Sequence, residues 1–439
     1  MSELIGGFAE VDQLRDIDAN DLLQREIVSP VSELANSSIQ GKSVAVTGGG
    51  GSIGSELCRQ ILALGPKCLV VYELSELGLY NITQELKEIA NSTGQDVAIH
   101  GVLGSVCDKR ELSNAIERYD VRTLFHAAAY KHVPIVEGNV IGGIINNVLG
   151  TKVVAEVASE HDVERAILVS TDKAVRPTSV MGATKRLAEL IFQDQQSRHP
   201  SKLFSMVRFG NVINSSGSVV PLFLKQIKDY GPVTVTHPEM TRYFMTIPEA
   251  AHLVIQASAL AKGGDVFLLD MGQPVRIVDL ARRMIELSGL EVKDQPDSTG
   301  DIEIVYSGLR PGEKLHEECL IDAASSAPVY PKILRAQEKK LPPAVLAEVL
   351  DGLSETVKSG DVEGTLRLLK QAVPEYTPVS HLSGVIANPP AAEEVQRKTH
   401  LIAKTVRASA RQAIVLGQAS THSLSAATGN GPTSEPKIE

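Results

Sequence analysis

The chain has 439 residues and a formal net charge of -10, long enough for an α/β core with a smaller second domain and too acidic for a general nucleic-acid binder. Its four cysteines show no CxxC spacing, no apolar run reaches the ~18 residues of a membrane span, and acidic residues interrupt the apolar ones at the N-terminus. These features are read as free thiols in a cytoplasmic enzyme with no transmembrane segment, no targeting peptide and no metal site.

Residues 1–40 read as a leader with one short helix around Asp18 to Arg25. From Lys42 onward, strand-like runs alternate with helical ones, the pattern of parallel βαβ units. Strands are expected at Ser43 to Thr47, Cys68 to Glu73, Asp96 to Val102, Thr123 to Ala127, Ala166 to Thr171 and Leu203 to Phe209, with helices such as Gly54 to Leu64 and Leu77 to Asn91 between them. The predicted class is α/β, a Rossmann-type doubly wound parallel sheet over 41–210. A smaller substrate-binding region over 211–340 returns some segments to that domain, and C-terminal helices at Pro342 to Ser359 and Val362 to Val373 fill 341–385. The Ala, Ser, Thr, Gly and Pro-rich tail, 386–439, is expected to be disordered apart from one helix over Ala391 to Leu416. Arg397, Lys398, Lys404, Arg407 and Arg411 of that helix read as a solvated face, with a membrane surface or a partner as the alternative.

The loop Thr47-Gly48-Gly49-Gly50-Gly51-Ser52-Ile53-Gly54 follows a strand and opens a helix. In that setting Gly48 makes the turn, Gly51 admits a pyrophosphate and Gly54 lets helix and sheet approach, while free N–H groups at the helix start face the phosphates. Glu73, ending the next strand, stands where an acidic residue accepts from a ribose 2′-hydroxyl and repels a 2′-phosphate, which favours NAD over NADP. Ala127, Ala128 and Ala129 allow close passage by the cofactor after His126, read as structural. Lys131 and His132 are candidates to line a sugar or diphosphate site, and Asn146 and Asn147 to make polar contacts under the cofactor. Ser170-Thr171-Asp172-Lys173 places a carboxylate beside an amine at a strand's carboxyl end, where open α/β sheets bind ligands.

The segments TGGGGSIGSELCRQI, HAAAYKHVPIVE, STDKAVRPTSVMGATKRLAE, RFGNVINSSGSVVPLF, HPEMTRYFMTIPEA and GLRPGEKLHEE occur in that order. Together they resemble nucleotide-sugar 4,6-dehydratases of bacterial polysaccharide and glycan pathways, in the extended short-chain dehydrogenase superfamily. The resemblance runs from about Leu14 to Tyr376. Many such relatives carry an amino-terminal membrane domain, so the likeness is to the soluble form or to the catalytic half of the long form.

Most of the superfamily has a tyrosine four residues before the active-site lysine, whereas here Met181 precedes Lys185. A thioether cannot lose a proton, so another group must serve the C4 hydroxyl. The same replacement marks the branch that resembles UDP-N-acetylglucosamine 4,6-dehydratases retaining C5 configuration; the C5-inverting branch keeps the tyrosine. The resemblance implies oxidation at C4 by NAD, loss of the C5 proton and of the C6 hydroxyl, and return of hydride to C6. Lys173 is then the base at C5, helped if Lys185 and a cationic nicotinamide lower its proton affinity. Asp172 is the acid at C6, Thr171 a partner of the C4 oxygen and Lys185 the holder of the nicotinamide ribose. Asn211 and Ser218 are candidates for the diphosphate, as are Arg242, Arg276 and Arg310, of which at most two are expected to serve. The late motif favours Arg310 and Glu313. The substrate is expected to be a UDP-N-acetylhexosamine, GlcNAc or GalNAc, and the enzyme a homo-oligomer. Competing readings are a UDP-sugar 4-epimerase, a C5-inverting dehydratase, a degenerate binder, and a cofactor-sensing scaffold whose tail recruits a glycosyltransferase.

Overall fold

Apolar strands buried on both faces dictate the core, since each face must be covered by helices. The computed structural model describes residues 32–293, 300–318 and 326–378 together with Leu22, all inside a compact unit spanning 1–379. The expected helix around Asp18 to Arg25, Leu22 apart, and the tail helix over Ala391 to Leu416 lie outside the described residues.

Strands are numbered in chain order. β1 (Ser43–Thr47), β2 (Cys68–Glu73), β3 (Ala98–Leu103), β4 (Thr123–His126), β5 (Arg165–Thr171), β6 (Leu203–Phe209) and β11 (Val266–Leu269) are parallel, and β15 (Ser326–Tyr330) and β16 (Ile333–Ala336) extend the sheet antiparallel. The order is β15-β16-β11-β6-β5-β4-β1-β2-β3. β1 lies between β2 and β4, so the connections diverge there and open a crevice at the strands' carboxyl ends. The period-2 alternation sends Val44, Val46, Val71 and Phe125 to one face, under the helices Ser52–Ala63, Glu76–Thr93 and Ile247–Leu260. Ala45, Tyr72, Leu124 and Leu168 go to the other, under Gly150–Glu160, Val180–Arg198 and the C-terminal helices Pro343–Ser359 and Val362–Ala372.

The predicted leader is not free of the core at its end. Helix Ser32–Ile39 buries Ile39, and the Ser38 carbonyl accepts from the Thr123 hydroxyl at 2.7 Å. Val140–Glu160, by length and composition apolar enough to cross a membrane, is mostly buried inside the fold; its π-helical turn Ile144–Leu149 interrupts it beside the crevice.

The region after β6 is built from short strands. β7 (Asn211–Val212) pairs with β10 (Phe244–Met245), β9 (Thr241–Arg242) with β12 (Val275–Arg276), and β14 (Ile302–Tyr306) lies between β8 (Val233–Val235) and β13 (Val292–Lys293). Helices Val219–Lys228 and Ile277–Leu287 close a separate apolar cluster around Phe223, Ile227, Met284 and Ile302. β11 and the β15–β16 hairpin then return the chain to the main sheet.

Candidate active site

A cavity of about 720 Å³ opens at the carboxyl ends of β1, β4, β5 and β6 and is roofed by the second region. Gly48, Gly51, Ser52, Ile53, Gly54, Ala127 and Ala129 line one side. Gly48 has φ +68°, and a Cβ there would lie 2.6 Å from the Ala128 nitrogen. A Cβ on Gly54 would collide with the Gly48 carbonyl, so helix Ser52–Ala63 starts tight against the loop. Around Gly51 a Cβ would meet nothing nearer than 3.3 Å, and the helix start carries no side-chain cap. This leaves unscreened N–H groups facing the cavity, an arrangement that suits an anion.

Glu73 does not line the cavity and stands beside the glycine loop. Its Oε2 accepts from the Gly50 N–H at 2.9 Å, and Oε1 accepts from the N–H groups of Leu74 and Ser75, also at 2.9 Å. Three of the roughly four acceptor directions of the carboxylate are thereby used on the backbone, leaving one at Oε2. Thr47 and Ala128 stand behind the wall. His126 is buried between two hydroxyls, with Nδ1 2.7 Å from Thr47 Oγ1 and Nε2 3.0 Å from Thr151 Oγ1. Thr151 gives its proton to the Asn147 carbonyl at 2.7 Å, so Nε2–H donates and Nδ1 accepts from Thr47. Burial pushes His126 down to about 3, which keeps the ring neutral and structural.

Asn147 is committed to the protein. It accepts from the Tyr130 N–H (2.8 Å) and donates to the Tyr130 carbonyl (2.9 Å) and Thr184 (3.1 Å), and Asn146 donates to its Oδ1 at 3.1 Å. These bonds fasten the loop carrying Lys131 and His132 to helix Val180–Arg198. Both residues reach the cavity. The His132 ring packs over Gly217, where φ is +69° and a Cβ would lie 2.5 Å from Cε1.

At the end of β5 a single 3-10 turn, Asp172–Ala174, folds the acid and the amine together. Asp172 Oδ1 accepts from the Thr171 hydroxyl (2.9 Å) and from Lys173 Nζ (3.0 Å), while the buried Oδ2 has no hydrogen-bond partner. Lys173 Nζ also donates to Asn211 Oδ1 at 2.9 Å and lies 3.7 Å from Glu317 Oε1. Burial lowers the proton affinity of Lys173, but the Asp172 and Glu317 carboxylates outweigh it and hold the amine above its ordinary value. The expectation that Lys185 would repel charge from Lys173 is therefore corrected. Lys185 Nζ is instead turned to the Val169 carbonyl at 2.8 Å, and burial brings its own value down to about 8, against the raising effect of Glu189. Met181 lines the cavity in the first turn of helix Val180–Arg198, which Ser179 caps by accepting from the Gly182 N–H at 3.1 Å.

The arginines separate. Arg310 lines the cavity with its guanidinium unpartnered among the described residues, and Glu313 Oε2 accepts from the Arg310 N–H at 3.3 Å. Arg242 also lines it, but its guanidinium is engaged by the carbonyls of Thr241 (2.7 Å), Lys314 (2.8 Å) and Leu315 (3.2 Å). Arg276 is not brought to the cavity: it sits at the exposed start of helix Ile277–Leu287 and pairs with Asp279 at 2.8 Å. Asn211, expected at the diphosphate, lines the cavity with its amide oxygen engaged by Lys173. Ser218 lines the cavity with its hydroxyl oxygen buried and unpartnered. Sequence reasoning missed Glu317. The signal for it is the acidic pair Glu317-Glu318 that closes the segment GLRPGEKLHEE.

Known proteins share this architecture. Capsular polysaccharide biosynthesis protein CapD of Staphylococcus aureus is 46% identical over 77% of this chain, which spans about half, 55%, of CapD's length. Pen from Bacillus thuringiensis, known from its X-ray structure, is 30% identical, with a TM-score of 0.61 over 70% of this chain and 90% of that one. UDP-glucose 4-epimerase from Bifidobacterium longum, solved in complex with NAD+ and UDP, shares the fold at 18% identity, with a TM-score of 0.52 over 62% of this chain and 88% of its own. Residues 44–338 match the family of polysaccharide biosynthesis proteins, and the chain belongs to that family.

Proposed function

We propose that the chain is an NAD-dependent nucleotide-sugar 4,6-dehydratase. It converts UDP-N-acetylglucosamine to UDP-2-acetamido-2,6-dideoxy-α-D-xylo-hexos-4-ulose with retention at C5, for polysaccharide or glycan biosynthesis. One observation carries this reading: Asp172, buried behind the wall, is hydrogen-bonded to both Thr171 and Lys173, which line the cavity. An epimerase, which returns hydride to C4, needs no acid at C6 and no base at C5.

The glycine cradle at Gly48, Gly51 and Gly54, together with the acceptor direction left on Glu73, fits a dinucleotide with a free ribose 2′-hydroxyl. Bound NAD supplies the hydride acceptor at C4 and the hydride donor at C6. The chain's own residues move the protons. Thr171 hydrogen-bonds the C4 oxygen and passes its proton to Asp172, a role for which Met181 has no ionisable group. Once the C4 proton has neutralised Asp172, one of the two carboxylates that keep Lys173 protonated is gone; Lys173 in its neutral form takes the C5 proton, and the electron pair expels the C6 oxygen, which leaves as water with the proton from Asp172. Once hydride has reached C6, Lys173 returns its proton to C5. Both residues are then back in their starting forms. Ser218 and Arg310, with unpartnered polar atoms on the opposite wall, are the groups assigned to the diphosphate.

Incubating the purified protein with UDP-N-acetylglucosamine and following the sugar by NMR tests the reading. A 6-methyl, 4-keto (or hydrated 4-keto) product supports it. Formation of the 4-epimer, or NAD binding without turnover, rejects it.

A further inference from the structure

Glu317 is one of the few carboxylates buried at this site, with its side chain 4% exposed. It accepts no hydrogen bond among the described residues, and its Oε2 is enclosed without a partner. Its Oε1 lies 3.7 Å from Lys173 Nζ and 3.6 Å from Arg242 Nε, beyond hydrogen-bond range but within ion-pair range. A buried carboxylate without hydrogen bonds is costly unless cations compensate it. The fold keeps it there deliberately: Arg242 ties down the Lys314 and Leu315 carbonyls, and Lys314 Nζ reaches the Val175 carbonyl at 3.1 Å, so the 310–318 segment is fastened to the catalytic turn.

We infer that Glu317 is a positioning residue for proton transfer at C5, holding the Lys173 ammonium at the cavity wall between removal of the proton and its return. This rests on the dehydratase reading. With one N–H of a Lys173 ammonium turned to C5, the other two serve the hydrogen bonds to Asp172 and Asn211, and Glu317 at 3.7 Å acts through its charge. When Asp172 has taken the C4 proton it is neutral, and Glu317 becomes the only negative charge beside Lys173 among the described residues. It then stabilises the charge that Lys173 acquires from C5, and a fixed ammonium returns the proton to the face it left, which is retention. Arg242 is the other charged group facing this pair and opposes the effect; neighbouring Glu318 is turned to Arg176 at 2.6 Å.

The charge state of Lys173 can be read without turnover. In protein labelled with ¹³C at lysine Cε, the Cε shift follows protonation of each Nζ, and Lys173→Arg assigns the signal. Removing the negative neighbour in Glu317→Gln lowers the Lys173 midpoint by about one pH unit. Glu317→Asp, with its carboxylate drawn back by one methylene, lowers it by less and decides the matter if the glutamine variant does not fold. An unmoved or raised midpoint overturns the inference. Because Lys173 must be neutral to attack C5, dehydration rises with pH through that midpoint, and the same shift appears in the acidic limb of the Glu317→Gln rate profile. A uniformly slower variant with an unmoved limb assigns Glu317 a merely structural part. A wild type that makes no 4-keto product removes the dehydratase reading, while the NMR midpoints still report on Glu317.

Discussion

Asp172 and Lys173 are neighbours in the chain, and side chains adjacent in sequence ordinarily diverge. The 3-10 turn after β5 bends them back to 3.0 Å, which makes two distinct losses measurable. Lys173→Ala should prevent proton loss at C5 while C4 oxidation proceeds, so reduced nicotinamide absorbance accumulates on adding substrate and turnover falls by about 10²–10⁴. Asp172→Asn should stop at elimination or earlier. Near-normal product from either variant would move the chemistry elsewhere. Met181→Leu, a volume-conserving apolar swap at a buried wall position, should keep activity within about tenfold. The wild type run in D₂O should keep the C5 configuration, with deuterium at C5 to the extent that Lys173 exchanges its N–H with solvent before the return. An L-arabino product would sink the retaining assignment. The pairing of Asp172 with Lys173 was legible because one tetrapeptide at a strand end holds both. Glu317 was not, since only tertiary structure brings it to Lys173, and chemistry alone could not separate Arg310, facing the cavity, from Arg276, paired with Asp279 on the surface.

Helix Val180–Arg198 carries Met181 and Lys185, and its start is held by more than the Ser179 cap. The Val180 N–H donates to Glu137 Oε1 at 2.5 Å, and the Thr178 hydroxyl donates to the Gly312 carbonyl at 3.1 Å. A helix N-terminus favours a carboxylate, yet burial wins here and raises Glu137 from 4.5 to about 7, opposed by the bond from Val180. A carboxyl raised on folding supports the fold fully below its ordinary value, and that support is lost as pH rises through about 7. Glu137→Gln keeps the acceptor without the charge. It should gain about 1 kcal/mol over the wild type at pH 8, a figure reduced for partial exposure, and nothing at pH 5; an equal gain at both values, read from urea midpoints, would reject burial as the cause. Elements of the main sheet were legible where apolar runs such as Cys68 to Tyr72 of β2 announce themselves. β7, β9, β10 and β12 have two residues each, too few for any period to show.

One buried ion cluster links β5, the rest of the sheet and the chain's return from the second region. Glu189 accepts two bonds from Arg208 of β6 at 2.7 and 2.6 Å, one from Arg186 at 3.1 Å and one from the Ser170 hydroxyl at 2.6 Å. Arg208 continues to Glu338, and Arg186 reaches Glu338 at 3.4 Å and Glu375 at 3.3 Å, beyond helix Val362–Ala372. Burial alone would raise Glu189, but the two guanidiniums overcome it and hold the carboxyl near 2. Its contribution is therefore present above the ordinary carboxylate range and lost as pH falls through about 2. Position in the cluster decides the cost of breaking it. Glu189→Gln leaves two buried cations short of their shared anion and should cost about 3–5 kcal/mol. Glu375, whose side chain is 38% exposed, meets only one of them at the rim, so Glu375→Gln should cost less than about 1 kcal/mol. Urea unfolding of the two variants at pH 7 makes the comparison. Equal losses would show that the cluster is not centred on Glu189 and that the rim pair of Arg186 with Glu375 holds the returning C-terminal segment as firmly as the buried centre does.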